Sequence, residues 1–204
     1  MAIKDFVWPD VPRTAFQKGG SYVHAAAVGW ALAQPGFHAY ATGYKLAAIR
    51  LFDSINGDGQ IPDLLIFPLG LLWRQSFELH LKEIIRLGHE MRGTDRAPPE
   101  THRIERLWND ARPLLADVGP LKSPEITNVG AILAEIERLD ATGQGFRYPT
   151  LRSGERSLEG VPEIVDVAAF QDAMLAVSTF LESACNALNI ALQYKYEQDK
   201  ANER

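Results

Sequence analysis

Four side chains able to do polar chemistry interrupt the apolar run "LLWRQSFELHLKEII" at 71–85: Arg74, Glu78, His80 and Lys82. Arginine presents a fixed fork of donors that suits a phosphate, and histidine exchanges a proton near neutral pH. Those types are what RNA cleavage without a metal requires. A base takes the proton of the 2′-hydroxyl, an acid protonates the leaving oxygen, and a cation stabilises the charge that builds on phosphorus.

The same residues also fit a packed helix. At about 100° per residue, Trp73, Phe77, His80, Ile84 and Leu87 fall on one stripe, which is the pattern of a buried seam. Arg74, Glu78 and Lys82 follow beside it at intervals of four, so they can form a ladder of same-face ion pairs. Six residues advance a helix by about 600°, leaving Arg74 and His80 about 120° apart. One regular helix therefore aims them apart, and either a distortion or a second subunit is needed to bring them to one phosphate.

The elements that must position these residues are helical. Tyr44, Ala47, Ala48, Leu51 and Ile55 predict a helix from Tyr40 to about Ile55 that ends at "NGDG". A longer helix is expected from Pro62 or Pro68 to Arg92, with Pro68 kinking it if it lies inside. A third, Thr101 to about Val118, turns Ile104, Leu107, Trp108, Leu114 and Leu115 inward and is bent or split at Pro113. Ser123 as N-cap with Pro124 behind it opens a fourth, ending near Thr142, with Ile132, Ile136 and Leu139 inward. Residues 143–165 read as a loop with a short extended piece, and Asp166 caps a last helix to about Asp199. Residues 1–39, with Pro9, Pro12 and Pro35, read as an irregular arm packed on a body formed by 40–204. The expected class is all-α, an antiparallel helical bundle with short connections.

Composition narrows the function classes. With 204 residues, 46% apolar and 23% charged, the chain is long enough for one filled core. A net charge of −5 counts against general nucleic-acid affinity, but bases and acids nearly balance from Arg74 to Arg112, where three histidines also lie. The acidity gathers after Glu155. A single cysteine, Cys185, cannot form an internal disulfide and suggests the reducing cytoplasm. The most apolar segment, "LLIFPLGLLW", is about half a membrane span and is broken by Pro68 and Gly70, so no membrane partner is expected. "DSINGDGQIPD" (53–63) places Ile55 where a calcium loop needs an oxygen and reads as a turn. His24, His38, His89 and His102 show no paired metal spacing, so neither metal nor other cofactor is expected.

Arg74 and His80 enclose five residues, and this spacing resembles the R-x4-6-H motif of the HEPN (higher eukaryotes and prokaryotes nucleotide-binding) superfamily of helical bundles. The stretch also resembles an "RQ-x-x-EL-x-LK" segment of uncharacterised bacterial proteins of this type, and "HRIERLW" (102–108) and "FRYP" (146–149) resemble their later blocks. The resemblance implies a homodimer in which motifs from two chains meet, and a metal-independent endoribonuclease serving as a toxin or antiviral-defence effector. Its partners would be an RNA substrate and a regulatory or antitoxin protein. Arg74 would then stabilise the phosphate, His80 act as general base or acid, and Glu78 orient Arg74. Lys82, Gln75, Arg147 and Tyr148 would contact substrate; Pro149 biases Tyr148 to an extended conformation, which would fix the direction of Arg147. The alternative is a non-catalytic HEPN-like module that dimerises or binds a nucleotide or partner. Gln75 favours it, since active members often carry Asn, Asp or His at that position.

Overall fold

The computed structural model describes residues 19, 21, 23–33, 36–57, 61–94, 96–119 and 123–202. The chain divides into two compact units, Met1–Gln34 and Pro35–Arg204. Much of the expected irregular arm lies outside the described residues. Within the first unit, α1 (Val28–Ala33) is a short helix that the sequence did not signal, with Trp30 largely exposed.

The second unit is all-α among its described residues. It comprises α2 (His38–Gly57), α3 (Pro62–Met91), α4 (Ile104–Ala111) running into a 3-10 turn at Arg112–Asp117, α5 (Pro124–Leu139) and α6 (Val167–Asn202). The helix boundaries follow local chemistry. Ser123 accepts from the Ile126 amide, and Asp166 Oδ1 accepts from the amides of Ala168 and Ala169 at 3.0 Å each, as caps should. Pro113 tightens the chain into the 3-10 turn, where a bend or split was expected. Pro68, by contrast, lies within one continuous α3. A single isolated bridge, Thr150 to Arg156, stands where a short extended piece was expected.

α3 is the central helix. Its stripe Trp73, Phe77, His80, Ile84 and Leu87 is fully buried against Leu107, Leu133, Leu181 and Leu188 of the other helices. Trp73 stacks on Phe77 with centroids 5.9 Å apart, and its indole donates to buried Gln171 at 2.9 Å. In α2 the inward line differs from the expected one. Ala41 and Ala48 are buried, whereas Tyr44 and Ala47 face out, because the small side chains let α2 approach α3 closely enough for Ser76 Oγ to donate to Ala41 O at 3.0 Å. In α5, Ile126, Val129, Leu133 and Ile136 form the buried line, and Ile132 and Leu139 sit at its margins.

The directions of the helices correct the antiparallel expectation in part. Phe37 meets Glu83 while Ala41 meets Ser76, so α2 and α3 are antiparallel. Ile104 meets Glu137 and Trp108 lies against Gly130, so α4 and α5 are antiparallel too. α6, however, runs parallel to α3: Trp73 pairs with Gln171, His80 with Cys185 and Met91 with Lys195. α4 and its 3-10 extension also run with α3, since Glu78 meets His102, Gly88 meets Leu114 and Arg92 meets Asp117. Among consecutive helices only α3 and α4 run the same way, so the chain must return along α3 between Met91 and Ile104, which brings His102 to Arg74; α5 ends at the same side chain, through Asp140. By length and composition α6 is apolar enough to cross a membrane, but here Met174, Val177, Leu181 and Leu188 pack in the core.

Candidate functional site

Arg74 is 2% exposed and ties together three segments. Nη2 donates to the backbone oxygen of His102 at 2.6 Å, Nη1 to Glu78 Oε2 at 3.3 Å, and Nε to the backbone oxygen of Asp140 at 3.3 Å. The Asp140 carboxylate adds a charge contact, with Oδ2 3.4 Å from Nε, while Oδ1 accepts from the Gly145 amide at 2.7 Å. Gly143, at φ +70°, lies flat on the guanidinium. A Cβ there would stand 2.9 Å from Nη1.

Glu78 is the second hub. Oε1 accepts from Lys82 Nζ at 2.8 Å and from His102 Nδ1 at 2.9 Å, so the expected ladder exists and continues onto another segment. Burial pushes the Glu78 carboxyl up, but the hydrogen bonds and charges of Lys82 and His102 outweigh that and hold it below its ordinary value. It is therefore an anion inside the fold.

His102 is fixed at three levels. Its carbonyl is bound by Arg74 and its ring by Glu78. The segment that follows it is held by Glu137, which pairs with Arg103 and accepts from the Ile104 amide at 2.8 Å. Yet its side chain is 73% exposed. With Nδ1 donating to the carboxylate, Nε2 is left as the free ring nitrogen.

The ring borders a cleft of about 450 Å³ lined by His102, Thr142, Gln144, Arg147, Tyr148, Thr150, Leu151 and Arg152. The lining holds three basic side chains, His102, Arg147 and Arg152, and no carboxylate. Arg147 Nε donates to Gly143 O at 2.6 Å, so the glycine lying on Arg74 also anchors Arg147. Phe146 anchors the same loop from below, its ring so close to Gly70 of α3 that a Cβ there would stand 2.3 Å from Cε1.

No family model, curated protein or solved structure matches this chain.

The sequence-derived residues thus fall into three places. Arg74, Glu78 and Lys82 form a network behind the cleft, and Arg147 and Tyr148 line the cleft itself. Gln75 is half-buried on α3 and outside the cleft lining. His80 is apart from all of them, 0% exposed, between α3 and its neighbours α2 and α6. Its Nδ1 donates to Ser76 O at 2.9 Å and its Nε2 is buried with no partner. Burial holds its pKa below the ordinary histidine value, with His38 and Lys45 acting in the same direction and the Ser76 bond and Glu182 against it. Sequence reasoning missed His102, Arg152, Asp140 and Gly143 as parts of one site. The block beginning at His102 carries a resemblance, but no period or spacing in the sequence ties its histidine to Glu78. Among the described residues no group of three His, Cys, Asp or Glu is placed to hold a metal.

Proposed function

We propose that the protein binds single-stranded RNA in this cleft and acts as a metal-independent endoribonuclease of HEPN type. The observation that supports this most directly is the lining of the cleft: His102, Arg147 and Arg152 converge there without a carboxylate, on a chain of net charge −5. A local basic concavity on an acidic protein concentrates the field on one patch and favours a phosphate-bearing ligand there. Tyr148, about half exposed, offers a face on which a base can stack. The biological setting that accompanies this reading is a cytoplasmic toxin or antiviral-defence effector, homodimeric and restrained by a regulatory or antitoxin protein.

A second reading, a nucleotide- or partner-binding module without catalysis, is favoured by the burial of Arg74 and His80, neither of which is open to a ligand. One experiment separates the two. Purified protein is incubated with single-stranded RNA in EDTA and the ends are analysed. The nuclease reading expects fragments ending in 2′,3′-cyclic phosphate, because the RNA's own hydroxyl is the nucleophile. Tight binding of RNA or nucleotide with no fragments over hours selects the module. Arg147→Ala combined with Arg152→Ala should weaken RNA binding in either case and lower the salt slope of log K by roughly 1–2, at about 0.7 per phosphate contact on a single strand.

A further inference from the structure

Resting on the reading of the cleft as an RNA site, we propose that the proton-transfer group is His102, outside the R-x5-H motif, and that Arg74 and Glu78 are positioning residues that hold it.

The geometry assigns these roles from three directions. A group that exchanges a proton with a ligand must reach it, and His102 is 73% exposed on the cleft wall, whereas His80 is fully enclosed. A catalytic imidazole needs a fixed tautomer, and the 2.9 Å bond from Nδ1 to Glu78 leaves Nε2 as the nitrogen that faces chemistry. An exposed side chain normally has many rotamers. Here the main chain is held by Arg74 at 2.6 Å and the following turn by Glu137, so the ring alone is left to be set by the carboxylate. Carboxylate, imidazole and free nitrogen then stand in line. The groups facing the pair are Arg74 and Lys82 on α3, Arg103 beside the histidine, Asp140 behind Arg74, and Arg147 and Arg152 across the cleft.

In the step this permits, Nε2 takes the proton of the 2′-hydroxyl as the 2′ oxygen bonds to phosphorus and the bond from phosphorus to the 5′ oxygen breaks. The imidazolium stands next to the Glu78 anion and later returns its proton to solvent. The departing 5′ oxygen takes one proton from water, so the products are a 2′,3′-cyclic phosphate and a 5′-hydroxyl with no net change in protons. Arg147 and Arg152 lie where the extra charge on the phosphoryl oxygens can be met.

The test uses the full-length protein and a single-stranded RNA with one labelled ribonucleotide linkage, in EDTA. His102→Ala is expected to lower the cleavage rate by roughly 100-fold or more, while RNA binding stays within a few-fold and the melting temperature stays near wild type. Added imidazole should restore part of the rate, because the emptied position opens to solvent. Glu78→Gln keeps an acceptor for the ring but removes the carboxylate that holds it, so kcat should fall while KM stays within a few-fold, and Glu78→Asp should recover part of the rate. A merely structural glutamate would show no such split between kcat and KM. Wild-type cleavage by His102→Ala overturns the proposal, as does loss of cleavage in a folded His80→Phe alongside a fully active His102→Ala. RNA that is bound but never cut by the wild type overturns it while leaving the RNA site standing. Failure to bind RNA at all overturns both.

Discussion

Arg74 divides its guanidinium among three partners spread from Glu78 to Asp140, and its loss would leave the buried Asp140 carboxylate without its charge partner and the carbonyl of His102 without its donor. Removing one member of a buried charge network costs about 3–5 kcal/mol, so Arg74→Ala should lower the unfolding free energy in urea by about that amount. Arg74→Lys should recover little, because an ammonium cannot reach three directions from one plane. His80 should respond differently. Its folded-state pKa is depressed by burial, with His38 and Lys45 adding to the effect and Ser76 and Glu182 opposing it. As pH falls, the unfolded chain therefore takes up a proton at the ordinary value of about 6.5 before the folded chain does. The contribution to stability is complete above that pH and declines as pH falls through it towards the folded value. Melts at pH 7.5 and 5.5 should show a larger acid loss for wild type than for His80→Gln, with other histidines cancelling in the comparison. His80→Ala leaves a void and removes the second hydrogen bond to the Ser76 carbonyl, and should cost about 1–3 kcal/mol.

At the scale of elements, Pro68 is the local choice that conflicts with its setting. It is exposed, lies within α3 and leaves the Leu64 carbonyl without its helical donor. Pro68→Ala should stabilise the protein by about 1–3 kcal/mol, read as a rise in urea midpoint, since no core contact is lost. Gly143→Ala should act in the opposite sense. Its backbone has φ +70°, and the new methyl would press on the Arg74 guanidinium. The loop carrying Arg147 should loosen, visible as faster amide exchange over 140–148. Much of this level was legible in the sequence. Periodicity located α3 and its buried stripe, spacing by four located the ladder, and Ser123 and Asp166 marked two helix starts. What was hidden has physical reasons. α1 has six residues, too few for a period to show. His102 reaches Glu78 from an irregular segment 24 residues away, and Arg74 binds a backbone carbonyl, a group every residue carries. A helix period tells which face is inward but not the heading of the helix, so the parallel course of α6 left no mark.

At the scale of the whole molecule, Cys185 sits where α6 meets α3, with its thiol 3.7 Å from the His80 carbonyl, and burial pushes its pKa far up. A disulfide reagent should therefore not modify it in the native state, and the rate of modification in mild denaturant should follow global unfolding. The reason is the same parallel pairing, and it has a further consequence on the ribosome. The side chains that close over Trp73 lie about a hundred residues downstream, as its bond to Gln171, 98 positions away, shows. At a synthesis rate of roughly 5–20 residues per second, the apolar stripe of α3 waits roughly 5–20 s for its cover. During that interval the nascent chain presents Trp73, Phe77, Ile84 and Leu87 to whatever is nearby, so a chaperone that binds apolar segments should crosslink to α3 in ribosome-stalled chains ending near residue 160 and release it once α6 has emerged.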